Sequence, residues 1–197
     1  MTAMPPDPPW LDLAMTAALP QDRPLLAMLL EFDRRLDKIA TQSSEPMLGQ
    51  IRLAWWRDVL TADTPPSGEP LIATIMALES SVAWNLRGAM LQLVDGWEVR
   101  LLSPDDATEF AKARGEGLFR AFSGPGSYAA FETAAASWAM ADRPDMALSA
   151  IRSPRLESKR MRQWPRRLRP LSLLALAGQA NGRAAGLRLS WHGLTGR

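Results

Sequence analysis

From Pro24 to about Thr41 the apolar residues Leu25, Met28, Leu29, Phe32, Leu36 and Ile39 recur at helical spacing, with charged residues between them. An alternating strand would put these residues on both faces, whereas a helix gathers them on one, so the segment has only one way to bury its apolar surface. The same periodicity predicts helices over 45–61, 70–81 and 85–102. In the last of these Leu86, Met90, Leu93, Val94, Trp97 and Leu101 share a side, and Gly96 runs against helix propensity, which points to close packing. Ser103-Pro104-Asp105-Asp106 reads as a helix start, with a capping serine, proline at the first position and acids in the first turn. That helix is expected to reach about Phe122, where SGPGS breaks it. An alanine-rich helix over 128–140 ends at Asp142-Arg143-Pro144, a short helix to Ile151 follows, and a final one over 170–179 stops at Asn181-Gly182. No window reads as a strand. The expectation is an all-α, single-domain helical bundle of about six to eight helices.

The stretch SEPMLGQIRLAWWRDVL, Ser44 to Leu60, is the most distinctive of these helices. Ser44 is the expected N-cap, with Glu45 and Pro46 in the first turn, where negative charge and a missing N–H are tolerated best. Leu48, Ile51 and Trp55 form one apolar line, Leu53, Trp56 and Leu60 a second, so a wide buried stripe is predicted. Arg52 lies between the lines, within reach of an indole face.

Composition narrows the function classes. With 197 residues the chain reads as an irregular lead-in over 1–20, one helical domain over 21–180 and a loosely ordered tail over 181–197. No apolar run approaches the roughly 18–20 residues that span a bilayer. The opening MTAMPPDPPWLDLAMTAALP lacks the cationic and apolar pattern of a secretory leader, so a cytoplasmic address is expected. The absence of cysteine excludes disulfides, thiolate metal sites and thiol nucleophiles. His192, the one histidine, has no neighbouring partner and is given no role. A net charge of +2 gives no reason to expect a nucleic-acid partner. The run 152–169 is different, with eight Lys/Arg against one glutamate. It reads either as a patch for phosphates or an anionic membrane surface, with peripheral membrane contact, or as a solvated connector.

The helix around Arg52 resembles the squalene/phytoene synthase family, in the bacterial branch where an RLAWWR-type helix follows EPMLGQI. Further echoes stand in order at LVDGWEVRLL (93–102), FAKARGEGLF (110–119) and RRLRPLSLLALAG (166–178). The resemblance implies an isoprenoid-synthase fold, truncated here relative to the family. Catalytic members join two prenyl diphosphates head to head with magnesium, which neutralises the leaving diphosphate and is itself held by paired carboxylates.

Asp33 and Asp37 have the i, i+4 spacing of such a pair and are the candidate metal ligands. Laying the family's first motif, F-x-R-x-x-D-D-x-x-D, on Phe32 and Arg34 puts Asp37 at its first acid but Lys38 and Thr41 at the next two. The competing reading of Asp33 and Asp37 is pairing with Arg34, Arg35 or Lys38 on a solvated face. The second acid motif is not visible: Asp142 and Asp145 flank Pro144 and read as a helix stop and a new cap. Arg34, Arg52, Arg57 and Arg114 lie within the matched segments and are candidate diphosphate ligands, or else bridges between helices. Gly115 suggests a close approach and Gly117 packing. Trp55, Trp56, Trp97 and Trp138 are expected on apolar faces, as core or as the wall of a prenyl cavity.

Two functions are therefore expected. The first is a cofactor-free helical protein that has lost prenyl transfer and acts as a lipid- or protein-binding or assembly factor. The family contains relatives of a respiratory complex I assembly factor that also lack the acid motifs. The alternative is an active prenyltransferase of terpenoid biosynthesis that uses magnesium.

Overall fold

The computed structural model describes residues 9–43, 45–143 and 158–177. Among them the regular structure is entirely helical: α1 (Pro9–Ala17), α2 (Arg23–Gln42), α3 (Pro46–Thr61), α4 (Pro70–Glu79), α5 (Leu86–Leu102), α6 (Ala107–Ser123), α7 (Phe131–Ala141), the single-turn α8 (Ser158–Met161) and α9 (Arg169–Ala177), with 3-10 turns at Pro20–Asp22 and Arg166–Leu168. No described helix is long and apolar enough to cross a membrane.

Helix α6 is the centre of the bundle and buries twelve of its seventeen residues, so it has neighbours on almost every side. It packs against α5 and α7, and α2 lies across both α5 and α6. Small residues make this proximity possible. A Cβ added to Gly96 of α5 would stand 2.6 Å from the backbone nitrogen of Arg114, and one added to Gly115 would stand 2.3 Å from the carbonyl oxygen of Ala135 in α7. The close packing expected at Gly96 and Gly115 is thus observed, and Gly117 plays the same part against Leu93.

Several boundaries differ from expectation. Residues 9–17, expected as part of an irregular lead-in, form α1, which packs on α9 and buries Ala14. Ser103 and Pro104 do not open α6. Ser103 ends α5, its N–H donating to the Val99 carbonyl, and Asp106 caps α6 by accepting from the Glu109 N–H. Ala107 and Phe110 are the first buried residues after that cap. The expected N-cap Ser44 lies outside the described residues. Glu45 occupies the N-cap of α3 without a side-chain cap bond, and Pro46 follows at the first turn. The short helix to Ile151, the part of the basic run before Ser158 and the tail 181–197 also lie outside the described residues.

The described part of the basic run is more than a solvated connector. Met161, Trp164 and Leu168 are buried. Arg167 donates to Asp22 at 3.0 Å and to the carbonyls of Ser123 and Phe122 at 3.0 and 2.9 Å, satisfying carbonyls at the C-terminal end of α6 while its guanidinium covers Trp84.

Helix α3 packs against α2 and α5, burying its second apolar line together with Gly49 and Val59. Leu53, Trp56 and Leu60 are buried, with the Trp56 ring edge-on to Phe32 at 5.1 Å. The first line is not buried. Leu48 and Trp55 are exposed, Ile51 is 60% exposed and the adjoining Met47 67%. The wide stripe predicted for this helix is half covered.

Candidate functional site

The polar centre of the molecule is built on Arg114, which is 0% exposed. It stands in the middle of α6, one turn from Phe110 and from Leu118, on a face that is otherwise apolar. A buried guanidinium must be both neutralised and hydrogen-bonded. Helix α2 supplies the first partner: Asp33, 3% exposed, accepts from Nε and Nη2 of Arg114 at 2.9 and 2.6 Å in a two-pronged pair. Asp142, at the end of α7, accepts from Nη2 at 2.6 Å, and the Ala139 carbonyl accepts from Nη1 at 3.2 Å. Trp97 of α5 donates from Nε1 to Asp33 at 2.8 Å. The cation is surrounded by rings, its carbon 4.4 Å from the Trp138 centroid, 5.0 Å from Trp97 and 5.7 Å from Phe110. Burial works against the Arg114 charge, but the carboxylates of Asp33 and Asp142 outweigh it and raise its pKa above the ordinary arginine value.

A second pair flanks the first. Asp37, one turn after Asp33, meets Arg143 at 2.8 Å, and Arg143 lies 5.4 Å from the Trp97 ring. Burial raises the Asp37 pKa, with Arg143 opposing the shift. Asp33, Asp37 and Asp142 thus belong to one network with Arg114 and Arg143.

This geometry corrects the reading of the acids. Asp33 is not on a solvated face with Arg34 or Arg35, and both of its oxygens are taken by Arg114 and Trp97. Asp37 pairs with Arg143, a partner 106 positions away that local spacing does not suggest. Asp142 is the helix stop that was expected, and it is also an anion for Arg114. Among the described residues no group of three or more His, Cys, Asp or Glu is arranged to hold a metal ion. Asp145 lies outside the described residues.

The arginine candidates do not converge. Arg114 is sealed in the core, Arg34 pairs with Glu31 at 3.5 Å on α2, and Arg57 bridges to Asp95 and Glu98 of α5. Hydrogen bonds from Arg57 to Asp95 and Glu98 raise its pKa. Arg52 is exposed, and the expected stacking on an indole is not formed. Of the tryptophans, Trp56, Trp97 and Trp138 are core, whereas Trp55 is exposed and lies edge-on to Trp56. None of the four lines the pocket of about 340 Å³ that opens between the end of α6, the start of α7 and α8.

Sequence reasoning missed the hub role of Arg114, although a signal was present: a single charge between Phe110 and Leu118 on an apolar helix face demands a buried counter-ion. Compared with family models, with curated proteins and with solved structures, the chain matches none.

Proposed function

We propose that this protein is a helical relative of the squalene/phytoene synthases, of isoprenoid-synthase type, in which head-to-head prenyl transfer has been lost and which acts by binding a partner protein, as an assembly factor does. The observation that carries the reading is the pairing of Asp33 and Asp142 with buried Arg114. Carboxylates that neutralise a core guanidinium are unavailable to a magnesium ion without stranding that cation, at a cost of several kcal/mol. Lys38 and Thr41, at the positions where the family's motif has acids, support the same conclusion. Binding to protein is favoured over binding an isoprenoid chain because Trp97 and Trp138 pack on Arg114 and their neighbours, while Met47, Ile51 and Trp55 leave an uncovered apolar row on α3.

The test is turnover. Purified protein incubated with farnesyl or geranylgeranyl diphosphate and magnesium is expected to release no pyrophosphate above a protein-free control. Release that disappears in Asp37→Ala would overturn the reading in favour of an active prenyltransferase.

A further inference from the structure

We propose that the uncovered row of α3 is the seat of a second copy of this chain, bound antiparallel about a two-fold axis through Ile51. The inference rests on the reading of that row as a protein-docking face and names its occupant. Met47, Ile51 and Trp55 stand at i, i+4 and i+8, one ridge of the helix, with Leu48 beside it. At their observed exposures these four side chains offer about 450 Å² per copy, so two copies face to face bury about 900 Å², which the surrounding polar side chains bring to the 1,000 Å² or so at which specific interfaces begin. The ridge is firmly seated for docking. Leu53 and Trp56 anchor the other side of the helix, and Gly49 lies so close to α5 that a Cβ there would stand 2.8 Å from Leu101 Cδ2.

The row is matched to itself in shape and in charge. Met47 and Trp55 lie four residues to either side of Ile51, so a two-fold axis there sets each Met47 beside the partner's Trp55, an adaptable thioether against a flat ring. Glu45, at the N-cap of α3, and Arg52, two turns on, are both exposed and lie on the same side of the helix. An antiparallel neighbour reverses their order, so each Arg52 is turned toward the partner's Glu45, whereas a parallel neighbour would set arginine beside arginine. The two helix dipoles also oppose each other in the antiparallel arrangement.

The chain has no cysteine, so single cysteines report the geometry without background. Ile51→Cys lies on the axis and is expected to link two copies rapidly when the full chain is oxidised with copper phenanthroline. Met47→Cys, although more exposed, holds its two thiols about 12 Å apart along the helices and is expected to link roughly tenfold more slowly. Accidental collision would give the reverse order. Sedimentation velocity of the parent chain between about 2 and 200 µM is expected to show monomer passing into dimer. Glu45→Arg and Arg52→Glu each raise the dissociation constant several-fold, and the double exchange restores it, a recovery that no folding defect would produce. Ile51→Glu, a change at an exposed position, keeps the helical circular dichroism of the parent and stays monomeric. A single monomeric species of the parent chain at every concentration overturns the proposal, whether or not the row then floats with phosphatidylcholine vesicles, and so does faster linking through Met47→Cys. Pyrophosphate release in the turnover assay would overturn the loss of prenyl transfer and leave the dimer standing, so the two failures are told apart.

Discussion

Arg114 shows what a single side chain can demand of a fold. Replacing it by methionine keeps the volume and the apolar contacts to Trp97 and Trp138 but leaves Asp33 as a buried carboxylate without its cation. The expected loss is about 3–5 kcal/mol, the cost typical of breaking a buried pair from one side, and equilibrium urea unfolding of Arg114→Met would read it directly. Arg114 was recognisable in the sequence as unusual, and Trp97 and Trp138 as core. Its partners were not, since Asp33 and Asp142 stand 81 and 28 positions away. Helical periodicity tells which face a residue occupies but not which residue of another helix it meets. Asp33 therefore resembled a metal ligand until the fold supplied a competing cation.

At the scale of the helices, the decisive contacts are between backbones. Gly115 allows α6 to lie against α7 so closely that a methyl group there would stand 2.3 Å from the Ala135 carbonyl oxygen. Neither helix backbone can move aside as a flexible side chain would, so Gly115→Ala is expected to cost more than the usual 1–3 kcal/mol of overpacking. A thermal melt followed by far-ultraviolet circular dichroism would show it as a large fall in Tm. Element type was legible almost throughout, because long periodic segments have one solution, and Gly96 and Gly115 announced close approaches. Two errors have separate causes. Ser103-Pro104-Asp105-Asp106 contains two usable caps, Ser103 and Asp106, and Ser103 is taken up at the end of α5, where its N–H donates to the Val99 carbonyl, which leaves Asp106 to cap α6. In α3 both apolar lines have helical spacing, but only α2 and α5 pack well against that helix, which leaves Met47, Leu48, Ile51 and Trp55 uncovered.

For the molecule as a whole, the ion network ties stability to pH. Burial raises the folded-state pKa of Asp37 above its ordinary 3.8, so the folded chain binds a proton more readily than the unfolded chain between those two values. Stability attributable to this group is therefore fully present below 3.8 and is lost as pH rises through the folded value. Asp37→Asn is expected to remove that fall and flatten the profile on its acidic side, which urea unfolding at a series of pH values would reveal by comparison with the parent chain. The same network has a consequence for how the chain reaches its native state. Asp33, Arg114 and Asp142 belong to α2, α6 and the end of α7, so the charge on Arg114 is matched only when all three segments have docked in register. A collapsed chain that buries α6 against the wrong neighbours carries an unmatched cation in its interior, and the energetic penalty makes that arrangement short-lived. Arg114 thus acts as a proofreading element, rejecting compact but incorrect arrangements that apolar packing alone would accept.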